Sequence, residues 1–164
     1  MDSLREFHPQ ALRIAEGLRA RGEKIAVADG ATGGLIMASL LTVPGALNFF
    51  VGGGVVYSFR ARDVLWAHPR EAYKGIRGPC KEYATLQARG IRDNLQADWG
   101  LAESGSVGGS THPGGAPSGL SVVAIAGPDG FETHTVLETE SDDRIENMHA
   151  FTRNALNFLE TSLG

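Results

Sequence analysis

The stretch Val27-Ala28-Asp29-Gly30-Ala31-Thr32-Gly33-Gly34 decides the reading of the fold. An apolar run, Lys24 to Ala28, leads into it, and a second run, Gly33 to Leu41, leaves it with the look of a short helix. Small residues let a backbone turn tightly and let another group come close. Free N–H groups at the start of a helix, together with its dipole, favour a negative ligand. The floor of a site is therefore expected here. A plain strand-to-helix connection is the alternative reading of the same residues. Between Asp29 and Thr32 the stretch carries no Ser, Cys or Lys that can act as a nucleophile.

Outward from this junction the pattern alternates. Before it, Leu4, Phe7, Leu12, Ile14, Ala15 and Leu18 recur at roughly helical spacing, which predicts a helix from Pro9 to Ala20, with an earlier turn allowed and Gly22 as its stop. Lys24 to Ala28 is a short buried strand, and Thr32 is the candidate N-cap of the helix Gly33 to Leu41. Phe49 to Ser58 reads as a strand whose Gly52, Gly53 and Gly54 let a neighbour close in. A short helix over Arg60 to Trp66 and a loop over Ala67 to Pro79 follow. Cys80 to Leu95 then reads as a helix with Tyr83, Leu86, Ile91 and Leu95 on one side.

Trp99 to Glu103 is expected as a short strand and Ser104 to Ser118 as a long Gly/Ser/Thr/Pro loop, a length that often signals function or mobility. Leu120 to Ala126 and Thr133 to Glu138 form a hairpin around Gly127-Pro128-Asp129-Gly130. A last helix, Asp142 to Leu159, takes Ser141 as N-cap and buries Ile145, Met148, Phe151, Ala155, Leu156 and Leu159. Helices alternating with buried strands, closed by a hairpin and a helix, predict a three-layer α/β/α domain with a mixed sheet. With no repeat and no internal linker, the 164 residues read as a single domain, 1–164.

Composition excludes several classes. Fifteen basic against 19 acidic residues leave a net charge of −4, which argues against a general nucleic-acid binder. The lone Cys80 excludes an internal disulfide framework and a cysteine-built metal site. His8, His68, His112, His134 and His149 show no ligand spacing, so no metal and no cofactor are expected. Scattered charges over Met1 to Glu23 do not make a signal peptide, and no apolar run approaches the ~20 residues of a membrane span. A cytoplasmic protein without membrane contact is the expectation. The 22 glycines concentrate at Gly30–Gly34, Gly52–Gly54 and Gly105–Gly119, three clusters that suggest loops converging on one pocket. Cys80 beside Lys81 at a helix start is either a plain helix-start residue or a thiol of lowered pKa.

The order of motifs resembles the C-terminal domain family of the competence/damage-inducible protein CinA, the nicotinamide-nucleotide amidases, over nearly the whole chain. The family's Glu-Ser-Cys-Thr-Gly-Gly motif corresponds to Asp29-Gly30-Ala31-Thr32-Gly33-Gly34. Its Gly-Gly-x-Val-Thr-Tyr-Ser strand corresponds to Gly53-Gly54-Val55-Val56-Tyr57-Ser58, one residue shorter between glycines and valine, and its Asn-Glu-Ala-Lys run to Phe59-Arg60-Ala61-Arg62. Its alanine-aspartate before a strand ending in Thr/Ser-Gly is Ala97-Asp98 to Ser104-Gly105, and its Asp-Arg at the final helix is Asp143-Arg144.

The resemblance implies hydrolysis of the carboxamide of nicotinamide mononucleotide to the acid and ammonia. In such enzymes the motif serine is the nucleophile, the lysine after Tyr-Ser assists it, and the later Thr-Gly and the final-helix arginine help to hold substrate. This chain departs from that pattern. Gly30 stands at the serine position and Arg62, which stays protonated and cannot act as a base, at the lysine position. The family's catalytic positions are thus Gly30, Tyr57 and Arg62, while the resemblance assigns ligand binding to Asp29, Ala31, Thr32, Gly33, Gly34, Ser58, Ser104, Gly105 and Arg144. The expectation is a weak or inactive relative that keeps a nucleotide- or phosphate-binding pocket. The alternatives are an active amidohydrolase using Thr32, Ser58 or a water positioned by Asp29, and a non-catalytic interaction domain. Family members associate, so a homo-oligomer such as a dimer is expected, with the Phe49-Phe50-Val51 run a candidate for its interface.

Overall fold

A computed structural model describes residues 2–65 and 68–164 of the chain. Its strands, numbered along the chain, are β1 (Ile25–Asp29), β2 (Phe50–Val55), β3 (Trp99–Ser106), β4 (Leu120–Ala126) and β5 (Glu132–Glu138). They form one sheet in the order β2-β1-β3-β4-β5. β2, β1 and β3 run parallel, and β4 and β5 add antiparallel neighbours. The helices are α1 (Ser3–Arg21), α2 (Leu35–Leu41), α3 (Phe59–Leu65), α4 (Lys81–Asn94) and α5 (Arg144–Leu163).

Side-chain alternation along the central strands makes two unlike sheet faces. Ile25, Val27, Leu101, Val123 and Ile125 point toward α1, α2 and α5, where Phe7, Ile14, Leu18, Phe151, Leu156 and Leu159 complete a large apolar core. The other face is mostly alanine: Ala26, Ala28, Ala102, Ala124 and Ala126 pack on Ala84, Ala88 and Ile91 of α4. Small residues on both partners bring α4 very close, and a methyl at Gly100 would overlap the carbonyl of Ala88. The result is the expected three-layer α/β/α arrangement with a mixed sheet.

Several boundaries differ from the sequence reading. α1 begins at Ser3 because the Asp2 carboxylate caps it, accepting the Arg5 N–H at 3.2 Å, and Pro9 lies inside the helix. Gly34, not Thr32, caps α2: Gly33 and Gly34 take φ of 66° and 98°, left-handed conformations that a side chain resists. α4 buries Ala84, Gln87, Ala88 and Ile91, whereas Leu95 is exposed, because the close approach selects the small face. β3 runs three residues past Glu103, since Ser104, Gly105 and Ser106 stay paired with Val122, Ser121 and Leu120. Asp143, not Ser141, caps α5, accepting the N–H groups of Ile145 and Glu146 at 3.0 Å each. That shift turns Ile145 outward, leaving it 80% exposed, and turns Asn147 inward. The short helix predicted to Trp66 is seen to Leu65; Trp66 itself, and the first loop residue Ala67, lie outside the described residues. A single-turn helix over Arg70–Tyr73 interrupts the loop that follows and buries Tyr73.

Candidate functional site

The three parallel strands end on one edge of the sheet, where α/β proteins place their sites. Asp29 closes β1, Val55 closes β2 and leads to Tyr57, and Ser104 to Ser106 close β3. The start of α5 reaches the same edge through Arg144, whose guanidinium donates to the carbonyl of Gly108 in the loop after β3, at 2.8 Å, and to the Tyr57 hydroxyl at 3.2 Å.

Two buried carboxylates underlie the β1–α2 turn. The Thr32 hydroxyl donates to Asp29, which also faces the backbone N–H groups of Gly34, Ile36 and Met37, the last at 3.3 Å. Burial raises the pKa of Asp29 against those hydrogen bonds. The second carboxylate is Glu103, in the middle of β3. Its Oε1 accepts the Ser121 hydroxyl at 2.7 Å, its Oε2 accepts the Thr32 N–H at 3.2 Å, and the Ala31 N–H also faces it. Burial first, and the nearby charge of Asp29 further, push the Glu103 carboxyl up to about 7.

Two glycines make room for Glu103. A methyl at Gly30 would overlap the Glu103 carbonyl oxygen and lie 3.2 Å from Oε2. At Gly105, two residues along β3 and so on the same face, it would come within 2.6 Å of Oε1 and 2.9 Å of the Phe151 ring. The backbone carbonyl of Glu103 thus takes the space beside the Cα of Gly30, with its carboxyl group next to it.

Of the other motif positions, Tyr57 is 72% exposed and Ser58 accepts the Ala61 N–H at 3.1 Å, opening α3. Arg62 is buried. Its guanidinium lies 4.1 Å from the ring centre of Tyr73 and 4.9 Å from that of Phe59, and it donates to Asp63 at 3.1 Å. It packs in an aromatic cluster with Tyr83 and Tyr73, whose hydroxyl burial pushes to about 12. Ser104 points to the α4 side, close to Gly78 and Tyr83.

The structure thus brings Asp29, Gly30, Ala31, Thr32 and Gly105 together around Glu103, and Tyr57 together with Arg144. Among the described residues Arg144 has no carboxylate partner: Asp143 caps the helix, and Asp142 accepts from Gly109 N–H at 3.0 Å and the Ser118 hydroxyl at 2.6 Å. Beside it, Gly109, Ser110, Thr111, His112, Ser118 and Asp142 line an open cleft of about 410 Å³. A second cleft of about 570 Å³ lies between α4 and β5, around Lys81, Glu82, Arg89, Glu132 and His134. Cys80 stands at the start of α4 with its thiol pushed up by burial, the opposite of an activated thiol. No group of three or more metal-binding side chains, and no helix long and apolar enough to cross a membrane, occurs among the described residues.

Glu103 escaped the sequence reading, which ended the strand at it. The signal was present: a single acidic residue in Trp-Gly-Leu-Ala-Glu-Ser-Gly-Ser, with small neighbours that give a carboxylate room inside.

The family model for the CinA C-terminal domain matches residues 8–163. A CinA-like protein of Acidobacterium capsulatum is 34% identical over 151 residues, 89% of this chain and 35% of that protein. A CinA-like protein of Prochlorococcus marinus (strain MIT 9313) is 36% identical over 125 residues, 75% of this chain and 29% of that protein. This chain therefore spans about a third of the length of such relatives. Among solved structures, the competence or damage-inducible protein of Enterobacter asburiae superposes with a TM-score of 0.87 at 23% identity, covering 96% of this chain and 98% of that one. The competence damage-inducible protein A of Klebsiella pneumoniae gives 0.87 at 24% identity, covering 96% of each chain. These superpositions show the shared fold.

Proposed function

This chain belongs to the CinA C-terminal domain family, and we propose that it binds a nucleotide or small phosphate compound without the serine-type amide hydrolysis to which the family resemblance points. Amide hydrolysis needs a nucleophile or activated water at the amide carbon and donors for the developing oxyanion. The observation that carries the reading is the closure of position 30, where the backbone carbonyl of Glu103 overlaps the place of a nucleophile's Cβ and the Glu103 carboxyl group lies next to it. The loss extends further. Arg62 is a permanent cation held between aromatic rings, and the Ala31 and Thr32 donors face Glu103 rather than solvent.

The binding half rests on Arg144. A cation in the first turn of a helix opposes the macrodipole, and here its bonds among the described residues are to two neutral oxygens. A phosphate would relieve both conditions, with the exposed Tyr57 ring beside it for a planar base. Thermal melting with nicotinamide mononucleotide, ribose 5-phosphate and inorganic phosphate tests this. A ligand at 100 times its Kd adds about 2.7 kcal/mol of stability, and no shift with any of the three overturns the reading.

A second reading, self-association, loses Phe49 and Phe50 of the expected run, which are buried in the core, but is favoured by a group of exposed apolar residues along edge strand β2 and α3: Val51, Val55, Tyr57, Phe59, Val64 and Leu65. Sizing chromatography that gives a monomer at high concentration counts against it.

A further inference from the structure

We infer that Glu103 is a built-in substitute for an external anion: its carboxyl group accepts the amide donors of Ala31 and Thr32 and lies next to Gly30, closing the β1–α2 turn to any free carboxylate or phosphate. The donor inventory of the turn supports this. The N–H of Gly33 donates to the carbonyl of Gly30 at 3.1 Å, and that of Leu35 to Thr32 at 3.3 Å. Asp29 faces the N–H groups of Gly34, Ile36 and Met37, and Glu103 those of Ala31 and Thr32. Every amide from 31 to 37 is thereby directed onto a partner within the protein. The turn has the form of an anion cradle, and the carboxyl group it holds is part of the chain.

The arrangement was assembled from three separated segments. Gly30 leaves the space, Gly105 lets the side chain fold back along its own strand, and Ser121 on β4 steadies the second carboxylate oxygen. Changing any one of these would crowd or orphan a buried carboxyl group, which is costly unless it is hydrogen-bonded. Glu103 is thus a positioning and specificity-determining residue. It excludes a carboxylate, a phosphate or a developing oxyanion from the turn. On the ligand reading proposed above, recognition of the negative group then falls to Arg144.

The test is an exchange of the internal carboxyl group for a free one. Glu103→Ala and the wild-type protein are melted at pH 7 in increasing sodium formate, with sodium chloride at equal ionic strength as control. The variant is expected to melt below wild type and to regain roughly 5 °C, saturably, in formate but not in chloride, while wild type does not respond to formate beyond chloride. A variant that melts with wild type, or formate shifts equal in both proteins, overturns the inference. Should Glu103→Ala not fold in either salt, Glu103→Gln decides. It keeps an acceptor for the two amides and a donor for the Ser121 oxygen, so it is expected to fold and to show a flatter pH dependence of stability between pH 5 and 8, with the part due to Asp29 remaining. A Glu103→Gln protein whose profile matches wild type overturns the inference equally. None of these outcomes depends on whether nucleotides bind at Arg144, which is read from ligand titrations of the wild-type protein.

Discussion

The Thr32 N–H and the Glu103 carboxylate meet at 3.2 Å across 71 positions of sequence, joining the β1–α2 turn to the middle of β3. This bond ties the functional edge of the sheet to the ionisation of one buried group. Glu103 is near half-protonated at neutral pH because burial and Asp29 both disfavour its charge, while three donors favour it.

Stability should therefore fall as pH rises from about 4.5 to about 7. The folded carboxyl titrates near 7 and the unfolded one near 4.5, so the folded state binds more protons in this window. The contribution is fully present below the unfolded value and is lost as pH passes the folded one. A shift of this size corresponds to roughly 3 kcal/mol. Asp29, also raised, adds the same sign. The carboxylates lowered by hydrogen bonds and ion pairs, Glu6, Asp63 and Asp142 among them, act in more acid solution. Urea denaturation at pH 5, 6, 7 and 8 checks the slope, which Glu103→Gln should flatten.

Gly30→Ala should destabilise the protein by about 3 kcal/mol, because the obstructing atom is a backbone oxygen that cannot rotate away. Gly30→Ser should behave alike, and reinstating the hydroxyl at that position should not release ammonia from nicotinamide mononucleotide. Denaturant midpoints of both variants, with an ammonia assay on the second, check this.

Arg62→Ala should cost about 2 kcal/mol in the same denaturant experiment. The loss combines packing of the buried stem with the stacking of its guanidinium on Tyr73 and Phe59. Arg62→Lys should recover only part of it, since an ammonium stacks less well and lacks the planar fork that reaches Asp63.

The layers of the fold were legible because apolar periodicity and glycine punctuation are local signals. The pair Gly33-Gly34 also declared itself, since two consecutive left-handed residues demand glycine. What stayed hidden depended on distant partners. A glutamate inside a strand reads as a strand end until Ser121, Gly105 and the turn amides are brought around it by the β3–β4 register. The cap of α5 moved from Ser141 to Asp143 because Asn147 is drawn inward to donate to the carbonyls of Val107 and Ser141. Arg62 shows the same limit: its position suggested a site, and only the folded Tyr73 segment explains where its charge goes.

Arg144→Ala should leave stability within about 1 kcal/mol of wild type, as its two hydrogen bonds are at the surface, yet abolish the melting shift given by a phosphate ligand. Tyr57→Phe, which removes only the hydroxyl that accepts from Arg144, should weaken that shift by a smaller amount.

The most direct test of binding without hydrolysis is calorimetric titration of the wild-type protein with nicotinamide mononucleotide, with ammonia measured in the cell afterwards. A saturable heat that returns to baseline after each injection, with no ammonia above a heat-killed control, is the expected result. A sustained heat flow with stoichiometric ammonia release, or no binding heat at all, would contradict it.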